Sequence, residues 1–140
     1  MPRKGPPKRP VPLLTKRSGE SRVVLLTNKC LRVAQWNAEG VRNKKPELQE
    51  FLRKNQIDIM CIQETHLKDT QRFFIRGYES FRQDRPKRVK GGILTFVKTS
   101  IPAAEVKRSG EGELEHITVK LLLPGGEILI TNCYIPHATK

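Results

Sequence analysis

The chain has 140 residues, which allows one domain with a modest hydrophobic core. Its 27 lysine and arginine residues outnumber its 14 acidic residues, and the formal net charge of +13 favours nucleic acid as a partner ahead of an anionic membrane surface. No apolar stretch is long enough to span a membrane, and the proline-rich, polar N-terminus argues against a secretory signal.

The chain begins with a basic, proline-rich stretch, residues 1–29, that is predicted to be a disordered arm ahead of a domain over residues 30–140. The first 30 residues hold eight basic residues and one acidic residue, and their prolines disfavour a helix or a central strand. Only Ser21–Thr27 carries an apolar run that could be ordered. Two readings stay open: a solvated tail, or a nucleic-acid contact or nuclear-import signal around Lys8 and Arg9.

A strand–helix–strand unit follows the arm. Leu31–Trp36 is short and apolar and suits a strand. Glu47–Leu52 has apolar residues at helical spacing. The run Ile57–Ile62, apolar apart from Asp58, predicts a strand covered on both faces.

Each of these two strands ends in polar residues. Asn37 and Glu39 follow the first strand, and Glu64 follows the second. Because parallel strands joined by a helix end at the same edge of a sheet, we expect the three side chains to meet there. An amide and two carboxylates form an oxygen-rich site suited to Mg²⁺.

The rest of the chain is rich in strand patterns separated by turn residues, so the predicted fold class is α/β. The predicted strands are Gly77–Phe81, Ile93–Lys98, Ala103–Lys107, Leu114–Leu123 and Glu127–Tyr134.

The three cysteines, Cys30, Cys61 and Cys133, form no paired framework. Two lie inside predicted strands, so we interpret all three as reduced intracellular thiols. The sequence has no C-x-x-C pattern or Cys/His cluster of the kind that binds zinc.

Five motifs together resemble the endonuclease/exonuclease/phosphatase superfamily over residues 31–136. They are Gln35-Trp36-Asn37, Gly40, Ile62-Gln63-Glu64-Thr65, Gly91-Gly92 and Asn132-Cys133-Tyr134-Ile135-Pro136. Gln63–Leu67 resembles in particular the apurinic-type endonuclease domains of non-LTR (LINE-type) retrotransposons. The resemblance implies the N-terminal half of a four-layered α/β-sandwich, with one mixed β-sheet and a flanking helix.

The resemblance also implies Mg²⁺-dependent hydrolysis of a phosphodiester, as in the DNA endonuclease of a retroelement. It makes Asn37, Glu64 and Tyr134 the catalytic residues, with Glu64 holding Mg²⁺. Glu39 stands where repair enzymes of this superfamily often carry an aspartate that acts as an auxiliary metal ligand.

Basic residues near this edge are expected to contact DNA. By resemblance, Arg42, Lys44 and Lys45 lie in a loop that contacts the DNA backbone; the alternative is a solvated helix start. A second basic cluster at residues 85–90 is either a DNA contact or a solubilising loop. DNA is thus the expected partner, and the nucleus the expected location.

The superfamily's later motifs, Gly-Asp-x-Asn and Ser-Asp-His, are absent. The chain itself is therefore expected to be catalytically incomplete, with an apolar sheet face that the missing C-terminal half or another chain would cover. The alternatives are a non-catalytic nucleic-acid-binding relic and a fragment of another superfamily phosphatase or repair endonuclease.

Overall fold

The computed structural model describes residues 11–18, 21–27, 31–85 and 91–136. The strands are β1 (Val11–Ser18), β2 (Ser21–Thr27), β3 (Arg32–Asn37), β4 (Ile59–Gln63), β5 (Tyr78–Gln83), β6 (Ile93–Lys98), β7 (Ala103–Arg108), β8 (Glu115–Leu123) and β9 (Gly126–Tyr134). The α-helix α1 (Lys45–Lys54) follows a 3₁₀ turn, Arg42–Lys44. The helix and the seven strands predicted after residue 30 are confirmed.

The strands form two sheets. A six-stranded mixed sheet has the order β1-β2-β3-β4-β6-β5, and a three-stranded antiparallel sheet has the order β7-β8-β9. Within the larger sheet, β3 and β4 are parallel neighbours joined by α1. The α/β class is therefore confirmed, although two sheets are present where one mixed sheet was expected.

Two strands lie within the stretch that was predicted to be a disordered arm. There β1 and β2 pair as antiparallel strands, and β2 continues the sheet beside β3. Pro12 lies in β1, at the edge of the sheet, where proline is tolerated better than in a central strand. Residues 1–10, with Lys8 and Arg9, lie outside the described residues.

The helix covers one face of the larger sheet. Pro46 lies in its first turn, where a missing N–H is harmless, and Arg53 and Lys54 in its last turn complement the helix dipole. Leu48 and Leu52 are buried in a core cluster that includes Trp36 and Phe96. Trp36 is thus a core residue. No helix among the described ranges is long and apolar enough to cross a membrane.

The smaller sheet covers the opposite face of the larger one. Ile117, Val119 and Leu121 of β8 share a core cluster with Ile59 and Val97 of the larger sheet. The strands β7–β9 thus supply a covering layer for this part of the larger sheet.

Asn132 of β9 joins the two sheets through hydrogen bonds. Its side chain is buried, and its Oδ1 accepts from Gln63 Nε2 at 2.8 Å. Its Nδ2, which carries two hydrogens, lies within hydrogen-bond distance of three acceptors, the Ile62 carbonyl at 3.2 Å, the Leu94 carbonyl at 3.1 Å and Thr95 Oγ1 at 3.1 Å. This residue, which the sequence placed in a site motif, ties β9 to β4 and β6.

Two cysteines lie within the described part of the chain, and both are free thiols, as predicted. Cys61 is buried between the sheets, and burial raises the pKa of its thiol to about 12. Cys133 is exposed. Cys30 falls outside the described residues.

Candidate active site

The candidate site lies where β3 and β4 end. These parallel strands pair with Asn37 opposite Gln63, and the Gly40 N–H donates to the Glu64 carbonyl at 2.8 Å just beyond the strands. Asn37, Glu39 and Glu64 therefore occupy one edge of the sheet, as the strand pattern predicted.

The backbone at this edge is strained. Glu39, Glu64 and His66 have φ angles of 49°, 53° and 55°, a left-handed conformation that is uncommon for residues other than glycine. Hydrogen bonds hold the turn after Glu64 in place, because the N–H groups of Thr65 and His66 donate to the carbonyls of Gly92 and Gly91. Strain of this kind concentrates at functional sites.

Tyr134 contacts Glu64 directly. It ends β9, and its hydroxyl donates to Glu64 Oε1 at 2.7 Å. Burial, followed by the hydrogen bond and the charge of Glu64, raises the pKa of Tyr134 to about 12. The hydroxyl therefore keeps its proton at neutral pH and acts as a donor that fixes one carboxylate oxygen.

Asn37 brings an unpartnered oxygen to the same edge. Its Oδ1 is buried and makes no hydrogen bond to any described residue. A buried amide oxygen without a partner is costly, so this atom suits a ligand. Together with the Glu64 carboxylate it gives oxygen donors that fit Mg²⁺, provided that water fills the remaining positions.

Glu39 contributes less to a cation site than Asn37 and Glu64 do. Its side chain is exposed. Across residues 11–18, 21–27, 31–85 and 91–136, no group of three or more His, Cys, Asp or Glu residues is close enough to hold a metal ion. The fit to a cation therefore depends chiefly on Glu64 and Asn37.

The three basic residues predicted to contact DNA differ in their surroundings. Arg42 is exposed. Lys44 donates to the Ala38 carbonyl and lies 5.7 Å from the centre of the Trp36 ring. Lys45 lies 5.9 Å from the centre of the Phe73 ring. Lys44 is thus the cation that reaches the turn after Asn37.

The sequence analysis missed Glu115, which adjoins the site. Glu115 pairs with Tyr134 across β8 and β9, and its Oε1 accepts from the Gly92 N–H at 2.9 Å. Its Oε2 lies 3.0 Å from Nη2 of Arg85. A signal for Glu115 was present, since it is the charged member of an alternating series with Ile117, Val119 and Leu121.

The fold and this edge agree with the comparisons to known proteins. Residues 34–139 match the model of the endonuclease/exonuclease/phosphatase family. The chain belongs to this family, as the motif resemblance predicted.

Relatives of known sequence include proteins of mobile elements and a DNA endonuclease. The chain is 26% identical over 116 residues to the "RNA-directed DNA polymerase from mobile element jockey" of Drosophila melanogaster. The aligned region covers 82% of this chain and 13% of that protein. It is 34% identical over 87 residues to "DNA-(apurinic or apyrimidinic site) endonuclease 2" of Xenopus laevis, covering 57% of this chain and 17% of that protein.

A solved structure shares the fold. The AP endonuclease LMAP of Leishmania major superposes with a TM-score of 0.63 at 22% identity, over 76% of this chain and 40% of that chain. The α/β fold predicted from the resemblance is thus confirmed. The chain spans less than half of this structure and about an eighth of the jockey protein.

Proposed function

We propose that Asn37, Glu64 and Tyr134 form the metal-binding and phosphate-orienting part of a DNA endonuclease site. The observation that carries the proposal is the 2.7 Å hydrogen bond from Tyr134 to Glu64, on the sheet edge that also holds the buried oxygen of Asn37, which has no hydrogen-bond partner among the described residues. A carboxylate fixed at one oxygen and an amide oxygen without a partner suit a hard cation.

Each residue has a separate role in this proposal. Glu64 and Asn37 would hold Mg²⁺, and Glu39 would reach it through water. The cation, when bound, stabilises negative charge on the phosphoryl and leaving-group oxygens. Tyr134 keeps Glu64 oriented by donating its hydroxyl proton to that carboxylate, and it would donate the same proton to a phosphate oxygen only after releasing Glu64.

DNA is the proposed substrate, and a retroelement is the proposed source of the chain. The net charge of +13 supports a polyanionic substrate. The names of the jockey and Xenopus relatives describe proteins that act on DNA. Arg42, Lys44 and Lys45 would contact the DNA backbone beside the site, and the proposed location is the nucleus.

Magnesium binding tests the role of Glu64. Calorimetric titration of the 140-residue chain with Mg²⁺ should give weak binding that Glu64→Ala abolishes, because the fixed carboxylate is lost. Glu79→Ala is the matched control, since Glu79 is an exposed carboxylate near the opposite edge of the sheet. Equal binding by all three proteins would remove Glu64 from the site.

We further propose that the remaining catalytic groups come from the part of the fold that lies beyond the matched region. This chain covers 40% of the AP endonuclease structure, so more than half of that fold has no counterpart in the matched region and could supply further groups. Residues 1–140 alone should therefore fail to nick supercoiled plasmid with Mg²⁺. Nicking by the wild type that disappears in Glu64→Ala would show that these residues suffice.

A further inference from the structure

Arg85 crosses the backbone of a glycine to reach the candidate site. A Cβ on Gly91 would lie 2.6 Å from Cδ and 2.7 Å from Cζ of Arg85, so any other residue there would push the arginine aside. Gly91 has a φ of 97°, a conformation that glycine adopts without penalty. The glycine therefore leaves a path for this side chain.

The path ends at Tyr134. The Arg85 guanidinium carbon lies 5.7 Å from the centre of the Tyr134 ring. The hydroxyl of the same ring donates to Glu64. A cation is thus held against the aromatic side chain that orients the proposed metal ligand, where the attraction between the cation and the ring favours it.

The environment of Arg85 differs from that of two neighbouring arginines, which line the same surface cavity. Arg82 donates to both carboxylate oxygens of Asp84 at 3.0 Å, and Arg108 donates to both oxygens of Glu105. Within the described ranges, no hydrogen bond uses the N–H groups of Arg85. Among the described residues the only ion pair of its guanidinium is the one with Glu115, which leaves further donors open to another anion.

Glu115 holds one end of this guanidinium through an ion pair. The Arg85 Nη2 and Glu115 Oε2 atoms are 3.0 Å apart, and the described residues provide no further carboxylate partner for the guanidinium. The carboxylate is itself anchored, since its other oxygen accepts from the Gly92 N–H at 2.9 Å. Its side chain is 11% exposed.

We infer that Arg85 contacts a phosphate of the bound nucleic acid at this site, and that Glu115 is a positioning residue for its guanidinium. The inference rests on the proposed function. Of the two interpretations of the basic cluster at residues 85–90, it favours the DNA contact for Arg85. A planar guanidinium with free donors beside a metal carboxylate matches the geometry of a phosphodiester.

Salt-dependent DNA binding tests the inference without metal or catalysis. Binding of the 140-residue chain to a short fluorescent duplex is measured by anisotropy in a chelator over a range of salt concentrations. Each phosphate contact contributes about 0.9 to the slope of log K against log[salt]. Arg85→Ala should therefore make the slope shallower by about 0.9, and Arg85→Lys should keep most of it.

Arg53→Ala is the matched control, because Arg53 pairs with Glu50 on the exposed face of α1. Its slope should equal that of the wild type. If Arg85 only neutralised Glu115, Arg85→Ala would likewise leave the slope unchanged. Urea unfolding of each variant identifies those that fold, and Arg85→Gln provides a second variant if Arg85→Ala is unstable.

The role of Glu115 is measured by a double-mutant cycle. Glu115→Gln should weaken binding when Arg85 is present, because the guanidinium loses its position. In the Arg85→Ala background it should not weaken binding, because only a repulsive charge is lost. The same effect in both backgrounds would refute the positioning role.

The outcomes separate this inference from the proposed function. A shallower slope for Arg42→Ala with an unchanged slope for Arg85→Ala would overturn the inference and leave DNA binding at the site intact. If the wild type showed no salt-dependent binding, the inference and the proposed DNA substrate would both be wrong.

Discussion

Glu115 occupies an inward position in β8, where the other inward side chains are Ile117, Val119 and Leu121. A carboxylate at such a position is costly unless hydrogen bonds or a cation compensate it. Here the Gly92 N–H and the Arg85 guanidinium do so. Glu115, the charged residue in an otherwise apolar series, therefore connects β8 of the smaller sheet to Gly92 and Arg85 beside the candidate site.

Gly92 offers a residue-scale test of how tightly this region is packed. Its φ is 91°, and an added Cβ would lie 2.5 Å from Thr65 Oγ1. Gly77 has nearly the same φ, 90°, with nothing within 4 Å of the added atom. An alanine at either position would have the same unfavourable positive φ, but only at Gly92 would its Cβ also collide with a neighbouring side chain.

We predict that Gly77→Ala lowers the free energy of unfolding by about 1 kcal/mol through strain alone. Gly92→Ala should cost roughly 1–3 kcal/mol more, because Thr65 must move. Urea denaturation of both variants measures the difference. Equal destabilisation would show that Thr65 yields freely and that packing here is loose.

The two sheets pack against each other through apolar side chains. The buried side chain of Asn132 adds hydrogen bonds between them. Its amide bonds the Gln63 side chain and lies within hydrogen-bond distance of three acceptors on β4 and β6. Thr131 precedes it on β9 and is exposed, with its hydroxyl bonded to Thr118. Substituting each of these two neighbours therefore compares the loss of buried hydrogen bonds at Asn132 with the loss of an exposed one at Thr131.

We predict that Asn132→Ala lowers the free energy of unfolding by about 2–4 kcal/mol, because it leaves several buried groups without partners. Thr131→Ala should change it by less than about 1 kcal/mol. Urea denaturation checks both values. A small loss for Asn132→Ala would mean that water replaces the amide and that apolar contacts alone hold the sheets together.

At the scale of the whole molecule, charge is the dominant feature. The net charge of +13 includes four basic residues before β1, Arg3, Lys4, Lys8 and Arg9. We predict that changing these four to glutamine makes the slope of log K against log[salt] for DNA binding shallower, because fewer counterions are released.

This charge-removal variant keeps β1 and the chain length unchanged, which deletion of residues 1–29 would not, because that deletion removes β1 and β2. A slope equal to that of the wild type would assign the DNA contact to residues 11–140. Anisotropy titrations of the two proteins under the same salt series make the comparison.

The sequence by itself determined the elements and the site edge. Alternating or continuous apolar runs set β3 to β9 and α1, because side-chain period follows backbone geometry. The polar residues after β3 and β4 lie at one edge, because parallel strands with a helical connection leave no other arrangement. Family membership followed from the same residues, and the comparisons confirm it.

Only the tertiary structure decided the contacts between residues far apart in the chain. The hydrogen bond between Tyr134 and Glu64, the Asn132 link and the Arg85–Glu115 pair join positions that no local pattern relates. The structure also shows strands at residues 11–18 and 21–27, where β2 pairs with the edge of β3 and β1 pairs with β2. Long-range pairing depends on the whole fold, and local periodicity carries no information about it.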